Sequence, residues 1–204
     1  MRSFFSCMKC MLWICLFSFA FFSCATVPVL NVTYGTVPKT SMPDSKEIYF
    51  KLIDQRTSKD IIGPGAQGVY EGYSGKINFM VSKGDKEERF VGVYDVKSLF
   101  GKVFSMYLSD AGLTVLSEPK KGVPELSVRL NDFTLDLSGR KWVASVDYEA
   151  EFIEEGKTLI RKFKGRAERL RLYGLEQAHQ VMSEAFTDII NQLDLKDLFG
   201  SSAG

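Results

Sequence analysis

From Trp142 to Phe152 the chain alternates without a break. Trp142, Ala144, Val146, Tyr148, Ala150 and Phe152 fall on one side, and the other carries the acidic row Asp147, Glu149 and Glu151. A strand repeats every two residues, so this pattern demands a sheet with one dry face and one wet face. Glu155-Gly156 follows, and then a second run from Lys157 to Leu170. A two-residue turn at that point fixes the register of a hairpin. It sets Tyr148 opposite Phe163 and Phe152 opposite Leu159; on the other face it sets Glu149 opposite Lys162 and Asp147 opposite Lys164. Core then meets core and opposite charges meet, each pair contributing roughly 0.2–1 kcal/mol.

The dry face of such a hairpin needs a cover, and two segments can supply it. Between Val96 and Ala111, apolar residues recur at helical spacing: Val96, Leu99, Phe100, Val103, Phe104, Tyr107 and Ala111. Asp95 stands where a helix is capped and Gly112 where it ends in a left-handed turn. From Leu175 to Leu195 a broader stripe repeats the pattern with Ala178, Val181, Met182, Ala185, Phe186, Ile189 and Ile190. Its width suits docking on a sheet. Further strands are expected at Glu47–Asp54, near Arg89–Val93, at Leu113–Leu116 and through 126–137. Apolar residues change phase across Asn131-Asp132, which predicts a β-bulge. The helix at 96–111 lies between two strands, so a right-handed parallel crossover is expected there. The sum is an α+β fold: a mixed, mostly antiparallel sheet of about five to six strands with two amphipathic helices packed on one face.

The N-terminus sets the compartment. Arg2 and Lys9 precede an uncharged run from Met11 to Phe22, and Ser23-Cys24 closes it. Spanning a bilayer takes about twenty apolar residues, so this shorter run matches the core of an export signal. Of four cysteines, Cys7, Cys10, Cys15 and Cys24, none follows position 24, which excludes a disulfide framework in the folded part. Cys7-x-x-Cys10 lies inside the leader, so a metal or redox role for it is not expected. A small residue before cysteine at the end of such a run resembles the lipobox of bacterial lipoproteins. That resemblance implies cleavage before Cys24, acylation of its thiol and new amine, and, with Ala25 rather than Asp next, an outer-membrane location facing the periplasm; the alternative is an uncleaved anchor helix from about Phe4 to Ser23, or an inner-membrane anchor with a periplasmic domain. Several acyl chains on one cysteine hold a membrane stably, whereas one chain does not. Residues 1–23 are thus expected to be a signal peptide and 24–46 the lipidated cysteine with an extended tether interrupted by Pro28, Pro38 and Pro43. Residues 47–198 are expected to form one domain and 199–204 a disordered tail.

Charge excludes one function class. With Arg2 and Lys9 in the leader, 24 basic residues face 25 acidic ones. A general nucleic-acid binder would be clearly basic, so no nucleic acid is expected. Residues 60–86 read as a long, polar, glycine-rich insertion. Within it Gly63-Pro64-Gly65-Ala66-Gln67-Gly68 spells G-x-G-x-x-G, but the strand ends near Asp54 and Gly72 and Gly75 oppose a following helix, so the phosphate-binding geometry is missing. A loop of this length is often functional, and Gly63, Gly65, Gly68, Tyr70 and Tyr73 are the expected contacts for a partner. His179 is the single histidine; its place beside the apolar stripe reads as half-buried packing. Basic residues from Arg161 to Arg171 read as a solvated, partly paired face that could also meet lipid phosphates. No catalytic set, metal site or cofactor is expected.

One further pattern follows the lipobox: a first strand ending in Asp54-Gln55-Arg56, a glycine-containing loop, and a helix closing on Asp110-Ala111-Gly112-Leu113. A three-stranded stretch and a terminal amphipathic helix complete it. In this the chain resembles the YajG-like family of bacterial lipoproteins over residues 24–195. The resemblance implies a structural ion pair between Asp54 and Arg56, and it adds location and fold more than mechanism. The layout is also similar to the small lipoprotein that plugs the lipopolysaccharide translocon and to auxiliary lipoproteins of lipid-transport ABC systems. The expected function is a non-catalytic binding or assembly module, attached to membrane lipid through Cys24 and contacting an envelope protein. The alternative is an accessory subunit of a lipid or lipopolysaccharide transport complex.

Overall fold

A computed structural model describes residues 27–36, 46–84 and 87–201. Its strands are β1 (Leu30–Thr36), β2 (Glu47–Asp54), β3 (Ile77–Lys83), β4 (Arg89–Tyr94), β5 (Thr114–Leu116), β6 (Glu125–Ser138), β7 (Lys141–Glu154) and β8 (Lys157–Leu170). Its helices are α1 (Val96–Asp110), α2 (Glu176–Asn191) and α3 (Leu195–Ser201). The strands divide between two sheets, β1-β3-β4 and β5-β2-β6-β7-β8, instead of forming one. Parallel pairs join β1 to β3 and β2 to both β5 and β6, while the long antiparallel pairs lie in β6-β7-β8.

The hairpin has the expected register. Tyr148 pairs with Phe163, Phe152 with Leu159, Glu149 with Lys162 and Asp147 with Lys164. Tyr148 and Phe163 stack at 4.8 Å, and the two charged pairs close at 3.5 and 3.4 Å. Glu155 and Gly156 both take positive φ, the type I′ geometry that matches strand twist. The register of β6 slips between Leu130 and Asp132, where the phase switch predicts the bulge.

α1 begins at Asp95, whose carboxylate accepts from the Ser98 amide at 2.8 Å. It ends with Leu113 N–H on the Leu108 carbonyl and Gly112 N–H on that of Ser109, at a Gly112 φ of 88°. This paired C-terminal closure needs a left-handed residue, which glycine supplies without strain. The expected crossover does not form. β4 belongs to the three-stranded sheet and β5 to the other, so α1 carries the chain between sheets and the same-sheet handedness rule does not apply.

Both helices pack on the same face of the larger sheet. Phe133 of β6 meets Phe100 of α1 at 5.4 Å and Phe186 of α2 at 6.0 Å, and the two helix rings touch at 5.1 Å. Each such buried ring contributes about 1.5–3 kcal/mol through the water it sheds. The smaller sheet joins this core through Tyr34 of β1, whose ring lies 6.3 Å from that of Phe186.

Three boundaries differ from the expectation. The tether fails in its middle, because Leu30, Val32 and Tyr34 are buried in β1. Residues 60–86 are not one loop, because Ile77–Lys83 is the central strand of the smaller sheet. The last helix stops at Asn191 and a short one follows, burying Leu198 and Phe199, so the fold extends past 198. These strands escape a pattern search because proline, glycine and threonine surround them, and their partners lie far along the chain.

The outer edge of β1 is closed by side chains, not by a strand. Ser183, Thr187 and Asn191 recur every four residues on α2. Ser183 Oγ accepts from Thr33 N at 2.9 Å and Thr187 Oγ1 from Gly35 N at 3.0 Å. Thr187 also donates to the Thr33 carbonyl, and Asn191 Nδ2 donates to that of Gly35. Four residues of helix rise about 6 Å and two of strand about 6.6 Å, so the two ladders stay nearly in step.

Candidate functional site

The site grows from the end of β2. Asp54 receives Arg56 twice through its guanidinium, Nε on Oδ1 and Nη2 on Oδ2, both at 3.1 Å. The Arg56 amide adds a third bond. Lys59 Nζ approaches the same carboxylate at 3.0 Å. Burial alone would raise the Asp54 carboxyl; the hydrogen bonds and charge of Arg56 and Lys59 outweigh it and hold the group at about 2. Arg56 is only 8% exposed, so a fork of this kind is its main compensation for leaving water.

Beyond this pair the line of β2 resumes. Ile62 bridges Leu135 of β6 in parallel: the Leu135 amide donates to the Ile61 carbonyl and Gly63 N–H to that of Leu135, each at 2.8 Å. The Asp136 carboxylate then accepts from the amides of Ala66 and Leu137, at 3.1 and 2.8 Å. A Cβ on Gly63 would collide with that carboxylate, and one on Gly65 with the Leu137 carbonyl. Gly68 faces open space. The glycines at 63 and 65 therefore serve close backbone approach to β6, and only Gly68 is free to meet a partner.

A tight turn from Ala66 carries Tyr70 inward. Its ring meets Trp142 edge-on at 6.1 Å and Tyr73 at 5.7 Å. The guanidinium of Arg171 lies 5.8 Å from the centre of the Trp142 ring. Tyr70 Oη, Tyr73 Oη and Trp142 Nε1 are all buried without a hydrogen-bond partner. Burial raises both phenols, and for Tyr70 the neighbouring Tyr73 adds to it, so each keeps its proton as a donor. An unpaired buried group of this type costs about 1–3 kcal/mol. The two phenols border a cavity of about 340 Å³, also lined by Lys59, Asp60, Gln67 and Glu71. Lys59 connects it to the Asp54–Arg56 pair.

The structure thus brings Tyr70 and Tyr73 to one cavity and links it through Lys59 to the Asp54–Arg56 pair, while Gly63 and Gly65 pack against β6. Trp142 and Lys59 belong to the site and escape sequence reasoning. Trp142 sits in the alternation as one more core residue, and Lys59 is one of many exposed lysines. Cys24 lies outside the described residues. His179 is half-buried on α2, where its Nε2–H donates to the Val29 carbonyl at 3.0 Å. Burial pulls that imidazole below its ordinary value.

A second, polar groove of about 540 Å³ runs between β1, β3 and α2, past Asn31, Ser82, His179 and Gln180. Much of its polar lining already bonds the edge of β1. Among the described residues no helix is long and apolar enough to cross a membrane.

No protein-family model matches the chain, and a search of curated proteins returned no match. Solved bacterial structures of similar layout include a Xanthomonas campestris protein of family DUF330, 12% identical, covering 84% of this chain and 97% of its own with a TM-score of 0.49. A lipoprotein from Neisseria meningitidis is 11% identical over 72% of this chain and 99% of its own, at a TM-score of 0.35. A hypothetical protein from Chlamydia trachomatis is 8% identical over 79% of this chain and 97% of its own, at 0.39. At these identities and scores the likenesses carry no reading of function.

Proposed function

We propose that the chain is a lipid-anchored envelope protein whose folded domain binds a partner without catalysis, through the cavity at Tyr70 and Tyr73. The observation that carries this reading is the pair of unpartnered phenol donors, Tyr70 Oη and Tyr73 Oη, on two residues that line one cavity. Donors left idle in the free protein gain most when an acceptor arrives, because their desolvation has already been met on folding. A backbone carbonyl or carboxylate of a partner protein suits phenol donors flanked by Lys59 and Gln67. The leader ending at Cys24 supports attachment by lipid, and Ala25 supports the outer membrane, facing the periplasm. The YajG-like resemblance fits the same picture.

A photocrosslinking residue at Gln67 in the full chain, expressed in a diderm bacterium, tests the binding reading. One discrete adduct is expected, and Tyr73→Phe should reduce its yield several-fold while leaving the protein's abundance unchanged. No adduct, or one indifferent to both Tyr70→Phe and Tyr73→Phe, overturns the site. Anchoring is tested separately by intact mass and flotation of the wild type beside Cys24→Ala.

A further inference from the structure

Five exposed apolar side chains collect at one end of the fold. Val27 is 56% exposed, Val29 40%, Leu170 61%, Leu172 66% and Tyr173 94%. The chain geometry places them together. Leu170 pairs with Lys141 at the end of β7, and the Arg171 amide donates to the Arg140 carbonyl in the adjoining turn. Leu172 and Tyr173 then lead through Gly174, at a φ of 68°, into α2. One turn into that helix His179 holds the Val29 carbonyl. The entry of the chain into β1 and the β8–α2 loop are therefore neighbours.

Charge at this end is unevenly spent. Lys141 pairs with Glu168 at 3.2 Å and Arg169 with Glu184 at 2.9 Å. The carboxylate of Glu176 accepts from Gln180. Among the described residues Arg140 takes no carboxylate, and the Arg171 guanidinium lies against the Trp142 ring. The tip is thus leucine, valine and tyrosine flanked by the guanidinium of Arg140, the composition of a surface that enters a headgroup layer.

Chain length names the occupant. Val27 follows Cys24 by three residues, a reach of about 11 Å at full extension. We infer that this tip rests in the phospholipid headgroup layer of the membrane holding Cys24. Val27, Val29, Leu170, Leu172 and Tyr173 enter the interface, and Arg140 faces lipid phosphates. The inference rests on the lipid anchor of the preceding section and adds the orientation of the domain: this end faces the lipid, and the β7–β8 turn stands away from it.

The test uses the full-length, processed protein reconstituted in vesicles of phosphatidylethanolamine and phosphatidylglycerol. An environment-sensitive dye is placed on Leu172→Cys or, in a second sample, on Ile160→Cys. Ile160 is 49% exposed on the same strand line, about 33 Å along β8 from Leu170. The expected result is blue-shifted emission at 172, quenched several-fold more by lipids brominated near the headgroup than emission at 160, which stays aqueous. Both sites aqueous in a preparation that floats overturns the orientation and leaves the anchor standing. Both sites in lipid also overturns it, because the domain then lies flat. A wild type that fails to float removes the anchor, and the tip falls with it.

Discussion

Gly65 and Gly68 stand close in sequence yet answer to different constraints. A Cβ at 65 would strike the Leu137 carbonyl, a backbone atom that cannot yield, while one at 68 meets nothing. Gly65→Ala is therefore expected to destabilise the fold by about 1–3 kcal/mol, as overpacking does. Gly68→Ala should be neutral or gain up to about 1 kcal/mol by restricting the unfolded chain. Chemical denaturation of both variants checks the contrast; equal effects would mean that the segment does not dock on β6. Asp54 offers a sharper test, because its folded value lies below its unfolded one. The stability it contributes is complete above about pH 4 and is lost as pH falls toward about 2. A shift of that size corresponds to about 2 kcal/mol. Stability profiles of wild type and Asp54→Asn should converge below pH 2 and diverge above pH 4, with the variant weaker because Arg56 is left buried without its partner. Parallel profiles across that window would contradict the ion pair's role. Tyr70→Phe should behave oppositely to a usual core change: deleting an unpartnered hydroxyl costs nothing or stabilises slightly, so a loss above 1 kcal/mol would show that the phenol is bonded after all.

The elements differ in how openly the chain declares them. The β7–β8 hairpin is legible because an unbroken alternation, a two-residue turn and complementary cross-strand pairs all agree. α1 is legible because cap, stripe and closing glycine coincide. β1 is not, because its seven residues hold only one strong apolar alternation, Leu30, Val32 and Tyr34, between prolines. What completes it is a column of polar residues on a helix about 150 positions away. Nothing in Ser183, Thr187 and Asn191 distinguishes them from an ordinary solvated helix face until β1 is placed against them. The site shares this difficulty: Asp54, Arg56, Tyr70 and Tyr73 stand out in the sequence, whereas Trp142 joins them only through the tertiary fold. The column itself makes a prediction. Thr187→Val keeps shape but strips both bonds to β1, leaving the Gly35 amide and Thr33 carbonyl at an open edge. A loss of about 1–3 kcal/mol is expected, with faster amide exchange at Gly35 than at residues of β7. Unchanged exchange at Gly35 would mean that the edge is closed by something other than α2.

At the scale of the whole molecule, two sheets could in principle melt apart, since α1 leads from one to the other and no strand is shared. One ring argues against it. Phe186 touches Tyr34 of the smaller sheet, Phe100 of α1 and Phe133 of the larger sheet, and it is fully buried. Any partial unfolding that separated the sheets would expose this ring and forfeit contacts on three sides at once. Phe186→Ala should therefore cost about 3–5 kcal/mol, and the loss should fall on the whole fold rather than on one layer. Urea unfolding followed by two probes checks this: Trp142 fluorescence reports the larger sheet, and amide exchange in β3 the smaller. One coincident transition, moved to lower urea with an unchanged slope, is the expected result for a single cooperative unit. Two separated transitions in the variant, with β3 melting first, would mean that Phe186 only staples a lesser sheet onto a domain able to stand without it.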